Sequence, residues 1–193
     1  MRTLFAVCTA LSLSFSLPAI AADDGVKPAV AQTREQRIDQ LFTDLKHARS
    51  PKSAELVAGR IWNEWSRSGS ASVDLMMQWS QKAIEDKKFD VALDFLDQVV
   101  TLQPKYAEGW NRRATAHFLM KNYAKSMVDI EQTLELEPRH FGALSGMAQI
   151  MTETGRKQAA LDAWQKVLDL YPMLRNAQDQ VSKLSEELAG EAI

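Results

Sequence analysis

Apolar residues recur at helical spacing through most of the chain, and the places where the period breaks mark out its elements. From Thr33 the residues Ile38, Leu41, Phe42, Leu45 and Ala48 fall on one helical face. Thr33 with Gln36 three places on makes a capping box, so a helix is predicted to begin there. Ser50-Pro51 closes it and starts the next, with Ser50 as the cap and Pro51 at the first helical place. That second helix carries Ala54, Val57, Ala58, Ile61, Trp62 and Trp65 on its apolar side and stops at Ser68-Gly69. Further helix pairs are expected at about 73–86 and 88–102, 105–120 and 123–136, and 139–153 and 157–170, with Gly155 in the turn of the last pair. After Pro172 the residues Leu174, Ala177, Val181, Leu184 and Leu188 recur at helical spacing opposite a face of Gln, Asp, Lys and Glu. The sum is an all-α chain of about nine helices with no strands.

The six central helices repeat. Pro104, Pro138 and Pro172 lie 34 residues apart, and copies aligned on them run 73–106, 107–140 and 141–174. Small residues then fall in register, with Ser80, Ala114 and Ala148 at the eighth place and Ala92, Ser126 and Ala160 at the twentieth. Large residues do the same, with Met76, Trp110 and Leu144 at the fourth place and Leu96, Ile130 and Trp164 at the twenty-fourth. Two antiparallel helices approach closely only where side chains are small, and larger neighbours fill the gaps one turn away. Proline ends each second helix because it has no N–H and clashes with the preceding turn.

The period and its residues resemble the tetratricopeptide repeat, most of all in the middle copy through Trp110, Ala114, Tyr123, Ser126, Ile130 and Pro138. Trp79, Arg113 and Met147 stand where that family usually has Leu, and Ser80, Ala114 and Ala148 where it usually has Gly. The resemblance implies a helical-hairpin solenoid wound as a right-handed superhelix. Residues 33–71 are then a degenerate N-terminal repeat acting as a capping hairpin, and 175–193 a C-terminal capping helix over an otherwise exposed apolar face. It also implies a concave groove lined by the first helix of each repeat, used to hold an extended peptide or a partner's helix. The groove places carry over to Met77 and Gln81, then Asn111, Arg112, Thr115 and Phe118, then Gly142, Ser145 and Gln149. This mix of amides, hydroxyls, one Arg and apolar side chains suits peptide contacts. Gly142 and Gly146, four apart, either leave a strip for a ligand backbone or let helix meet helix. Members that clamp a C-terminal carboxylate use a Lys and an Asn on one repeat and an Asn on the next. Met77, Gln81 and Arg112 stand at those places here, with Asn111 beside Arg112, so that clamp is not reproduced.

The first residues change the setting. Met1-Arg2, an apolar run from Leu4 to Leu17 and Ala19-Ile20-Ala21 are the parts of a secretory signal peptide over 1–21, with cleavage after Ala21. The run is shorter than the roughly 20 apolar residues a lasting anchor needs, so no stable membrane anchor is expected after cleavage. Residues 22–32, with Asp23, Asp24, Gly25 and Pro28, read as a disordered lead-in. Cys8 is the only cysteine and leaves with the signal, and a mature chain without cysteine suits an oxidising compartment. The short basic start has a bacterial look, which makes the periplasm the expected location and secretion to the medium the alternative. The array resembles small secreted tetratricopeptide proteins of Gram-negative bacteria.

Composition excludes several functions. A 193-residue chain with 46% hydrophobic residues can bury a core, and its net charge of −2, both signs interspersed, carries no footprint for nucleic acid. His47, His117 and His140 lie in three different helical units and no pair has metal-ligand spacing. His117 holds a packing place, while His140 follows Pro138-Arg139 and is expected to cap or to face solvent. Carboxylate runs such as Asp90, Asp94 and Asp97 read as solvated faces, and Trp110, Trp164, Trp62 and Trp65 as core. There is no phosphate loop, nucleophile elbow or cofactor motif. The sequence therefore points to a non-enzymatic periplasmic module that binds a protein or peptide partner in envelope assembly or maintenance. The alternative is an accessory subunit or chaperone-like carrier for a periplasmic enzyme or secreted substrate.

Overall fold

In the computed structural model, residues 32–191 are described; the signal peptide expected over 1–21 and most of the lead-in lie outside them. Nine helices follow one another and no strand occurs among the described residues: α1 Arg34–Lys46, α2 Pro51–Trp65, α3 Ala71–Glu85, α4 Phe89–Leu102, α5 Ala107–Leu119, α6 Tyr123–Leu136, α7 Phe141–Glu153, α8 Lys157–Leu170 and α9 Arg175–Glu191. None is long and apolar enough to cross a membrane.

Local chemistry sets the ends of these helices. At α1 the Gln36 amide donates to Thr33 Oγ1 at 3.2 Å and the Thr33 amide to Gln36 Oε1 at 3.0 Å, while Ser53 closes the equivalent box with Ser50 at α2. The first helices of the second and third repeats begin two residues later than the periodicity predicts, at Ala107 and Phe141. Residues 104–106 and 138–140 form turns in which the Tyr106 amide donates to Gln103 O and the His140 amide to Glu137 O, both at 3.0 Å. Within each repeat the two helices join through a left-handed residue at one equivalent place, Lys87 (φ 58), Lys121 (φ 59) and Gly155 (φ 74). Only the last, a glycine, lacks the Cβ that makes this conformation costly.

The small residues of the repeat are where the helices touch. Ser80, Ala114, Ala148, Ala92, Ser126 and Ala160 are all buried, and Ser126 Oγ donates across the pair to Ala114 O at 2.8 Å. Leu96, Ile130 and Trp164 fill the core beside them. Trp110 departs from its expected core place. It is half-buried, its Nε1 donates to Pro104 O at 2.9 Å, and the Arg113 guanidinium lies 4.8 Å from its ring centre. At the C-terminal end Ala177, Val181, Leu184 and Leu188 of α9 pack on Leu161 and Trp164 of α8.

The N-terminal hairpin does not take the capping place expected for residues 33–71. Instead of stacking in front of α3, it lies along the edge formed by the inter-repeat turns. Ser66 O accepts from the Tyr106 hydroxyl at 3.0 Å at the first turn. At the second, Trp65 stacks on His140 with ring centres 4.1 Å apart, and Arg139 pairs with Asp39 at 2.7 Å. At the third, Tyr171 packs with Phe141, Phe42, Leu45 and Ile61 in one cluster. Phe42, Trp62 and Trp65 all lie within 6.4 Å of the Phe141 ring, and burying this many aromatic rings fixes the hairpin where it is.

Repeats one and two are also pinned electrostatically. Arg113 donates two parallel hydrogen bonds to Asp129, at 2.8 and 2.7 Å, and a third to Asp97 of the preceding repeat at 2.8 Å. Asp129 is 2% exposed, so its charge depends on this partner. Arg113→Leu, which restores the residue usual at this repeat place, is expected to destabilise the chain by about 3–5 kcal/mol in urea unfolding, because it strands a buried carboxylate. Arg113→Leu combined with Asp129→Leu should recover most of that loss.

Candidate functional site

The groove-facing residues begin with helix geometry. α3, α5 and α7 are the first helices of their repeats and run in the same sense, so equivalent places line one surface. The structure divides the nine predicted residues between two depressions and leaves two outside both.

The first depression, about 460 Å³, lies between α3 and α5 and takes in Met77, Gln81 and Arg112, with Tyr106, Asp74 and Glu85. Met77 is largely absorbed into the core of the first repeat. Gln81 donates to Glu85 at 2.8 Å and accepts a short hydrogen bond from Arg112. The second depression, about 190 Å³, is lined by Asn111, Ala114, Thr115, Phe118, Ser126, Ile130, Gly142, Ala143 and Gly146. Thr115 is exposed and bonds back to Asn111 O at 3.0 Å, and Phe118 packs on Tyr123 with ring centres 5.8 Å apart. Ser145 caps back on Phe141 O and Gln149 donates to Glu153, and neither lines either depression.

Asn111 and Arg112 are not the free contacts expected of them, because both serve Glu108. This carboxylate is 1% exposed. Oε1 accepts from Arg112 at 2.7 Å, while Oε2 accepts from Asn111 Nδ2 at 2.9 Å and from His140 Nε2 at 3.2 Å. His140 Nδ1 accepts from the Ala143 amide at 3.1 Å, which caps α7 and places the ring proton on Nε2, where it donates to Glu108. His140 is therefore wholly buried and does not face solvent. Burial pushes the Glu108 carboxyl up, but the His140 hydrogen bond and the Arg112 charge outweigh it and hold the group below its ordinary value. Sequence reasoning missed Glu108. The available signal was Glu108 and Arg112 at i, i+4 with Asn111 between, in the favoured acid-first order.

The two groove glycines differ in role. A Cβ on Gly142 would meet Trp62 at 2.7 Å, so this glycine admits the hairpin. A Cβ on Gly146 would meet only Ile130, at an ordinary 3.4 Å, and points toward open cavity. Elsewhere, burial pushes the His117 ring below its usual value, consistent with packing, and its Nδ1 has no partner. Among the described residues no group of three His, Cys, Asp or Glu is placed to hold a metal ion.

These features can be set beside known proteins. No protein-family model matches the chain. It is 52% identical over 196 residues to a TPR repeat-containing protein of Rhizobium etli, across 97% of this chain and 96% of that one. The chain belongs to the tetratricopeptide-repeat proteins. It is also 28% identical over 117 residues to the small glutamine-rich tetratricopeptide repeat-containing protein 2 of Saccharomyces cerevisiae, which covers 61% of this chain and only 34% of that relative. Among solved structures, the first TPR of Spaghetti (RPAP3) bound to the HSP90 peptide SRMEEVD superposes with a TM-score of 0.58 at 22% identity, over 61% of this chain and 93% of that one. The TPR2B domain of yeast Sti1, in complex with an Hsp70 peptide, gives 0.57 at 14%, over 61% and 99%. At these identities the structures establish the fold, a solenoid of helical hairpins.

The Glu108 cluster makes stability depend on pH in a defined sense. Because its folded-state value lies below the ordinary 4.5, its contribution is complete above that pH and is lost as pH falls through the folded value. Urea midpoints measured from pH 7 downward should drop for the parent in this acid range. Glu108→Gln should start lower and fall less steeply.

Proposed function

We propose that this chain is a non-enzymatic interaction module of the bacterial periplasm, binding an extended peptide segment of a protein partner in envelope assembly or maintenance. The observation that carries the reading is the cavity between α5, α6 and α7. It combines an apolar floor from Ala114, Phe118 and Ile130 with the Thr115 hydroxyl and a side-chain-free strip at Gly146. A peptide backbone can approach closely over a glycine, and an aliphatic side chain can enter the cavity. Peptide complexes of structurally similar domains support a groove of this kind. The ligand differs in chemistry from an acidic tail. Arg112, the one cation at the places a carboxylate clamp would use, is already committed to Glu108 and Gln81. The periplasmic setting rests on the signal-peptide pattern of residues 1–21 and on the absence of cysteine after Cys8.

Filling the cavity tests the groove. Gly146→Leu should leave the melting temperature within a degree or two, since its Cβ meets only Ile130, and should weaken peptide-dependent capture from periplasmic extract by roughly tenfold or more. Gly142→Leu is the contrasting variant. It collides with Trp62, so it should melt earlier by an amount set by overpacking, about 1–3 kcal/mol. Retention of every captured protein by Gly146→Leu would rule out the concave face. The location has its own check: protein recovered from the periplasm should begin at Ala22, and a chain that keeps Met1 in the membrane fraction would overturn the periplasmic assignment.

A further inference from the structure

Three polar side chains stand in the wall of the cavity between α5, α6 and α7: Asn111, Thr115 and Ser126. A hydroxyl carries one proton, and both hydroxyls have spent theirs inside the chain. Ser126 Oγ donates to Ala114 O at 2.8 Å and Thr115 Oγ1 to Asn111 O at 3.0 Å. Asn111 decides the polarity of the wall, because an amide shows a ligand its donor or its acceptor according to which way it is turned.

Glu108 does the turning. Its Arg112 and His140 partners hold it ionised, and an ionised carboxylate only accepts. The group of Asn111 that faces it is therefore the nitrogen, and Nδ2 donates to Glu108 Oε2 at 2.9 Å. The planar amide directs Oδ1 away from Glu108, on the side where Asn111 lines the cavity. This side chain is 8% exposed, and Oδ1 accepts no hydrogen bond among the described residues. The nitrogen is committed and the oxygen is not. A buried acceptor is costly to leave unanswered, and water that enters such a cavity is displaced without loss only by a group able to donate in its place. The rest of the wall, Ala114, Phe118, Ile130 and Gly146, is apolar and offers nothing else to a polar atom.

Building on the peptide-binding role proposed above, we infer that Asn111 Oδ1 is the specificity-determining acceptor of the groove. The bound peptide donates a backbone N–H to it, next to the aliphatic side chain that fills the cavity. Gly146 opposite lets the peptide backbone come near enough to do so. Two kinds of segment are thereby rejected. A carboxylate tail brings only acceptors to an acceptor, and a segment with proline at the donating position has no N–H to give. Glu108 acts through Asn111 as a positioning residue, since it fixes which end of the amide the ligand meets.

Selection from a random peptide library on the immobilised chain from Ala22 onward supplies the probe. Selected peptides should share one aliphatic residue, with proline depleted at the donating position beside it. Replacing each amide of one such peptide in turn by an ester then removes a single N–H and leaves every side chain in place. On the parent, one ester next to the aliphatic residue should weaken binding roughly tenfold, whereas on Asn111→Ala the same ester should change it by less than about twofold. Gly146→Leu should release the unmodified peptide. Release by Gly146→Leu with no ester that weakens binding to the parent, or with an ester penalty that persists in Asn111→Ala, overturns the acceptor role of Asn111 and leaves the groove standing. A library that yields no binder, or binders that Gly146→Leu retains, overturns the groove and the acceptor together. The ester scan on the parent needs no variant, so it decides the matter even where Asn111→Ala, which removes one donor to Glu108, does not fold.

Discussion

A single buried carboxylate ties the second repeat to the start of the third and, through a stacked imidazole, to the N-terminal hairpin. Glu108 sits on the first helix of the second repeat and accepts hydrogen bonds from Arg112 and Asn111 on that helix and from His140 at the start of α7. The same imidazole caps α7 through Nδ1 and offers its face to Trp65 of the N-terminal hairpin. Groove, inter-repeat turn and hairpin therefore converge within one hydrogen-bonded cluster. A charge this deeply buried is tolerated only because every lone-pair direction that matters is answered.

The equivalent places of the three repeats show how one backbone accepts different chemistry. At the seventh and twenty-third places the pairs are Trp79 with Phe95, Arg113 with Asp129, and Met147 with Ala163. The aromatic pair faces solvent, the ion pair bridges two repeats, and the third pair sits where Met147 and Ala163 pack with their own clusters. What varies among them is what lies on the far side, and side-chain identity follows that environment more closely than it follows the repeat pattern.

This explains which parts of the molecule were legible in the sequence. Helix number and type could be read because the small residues at Ser80, Ala114, Ala148, Ala92, Ser126 and Ala160 report a contact between neighbours in sequence. The capping boxes at Thr33 and Ser50 are equally local. The destination of the hairpin was not legible. Trp62 and Trp65 announce burial but do not name His140 and Phe141 as the surface that buries them, and another contact of the hairpin, Asp39 with Arg139, joins residues 100 apart in sequence. The left-handed turns illustrate a second limit: Gly155 is visible as a turn residue, whereas Lys87 and Lys121 adopt the same backbone against their own preference, imposed by the helices on either side. Groove residues were assigned by helical face alone, so Asn111 and Arg112 looked available until the position of Glu108 showed otherwise.

The hairpin laid across both inter-repeat turns and the turn before α9 alters what kind of object the solenoid is. A repeat array in which each unit touches only its neighbours behaves as a one-dimensional chain of couplings, able to open from either end and to bend by small rotations at each joint. Here one rigid brace joins Tyr106, His140 and Tyr171 through Ser66, Trp65 and the Phe42 cluster. Opening any joint strains the contacts at the other two. The array is consequently closer to a laced splint than to a spring, and the curvature of its groove is fixed before any ligand arrives.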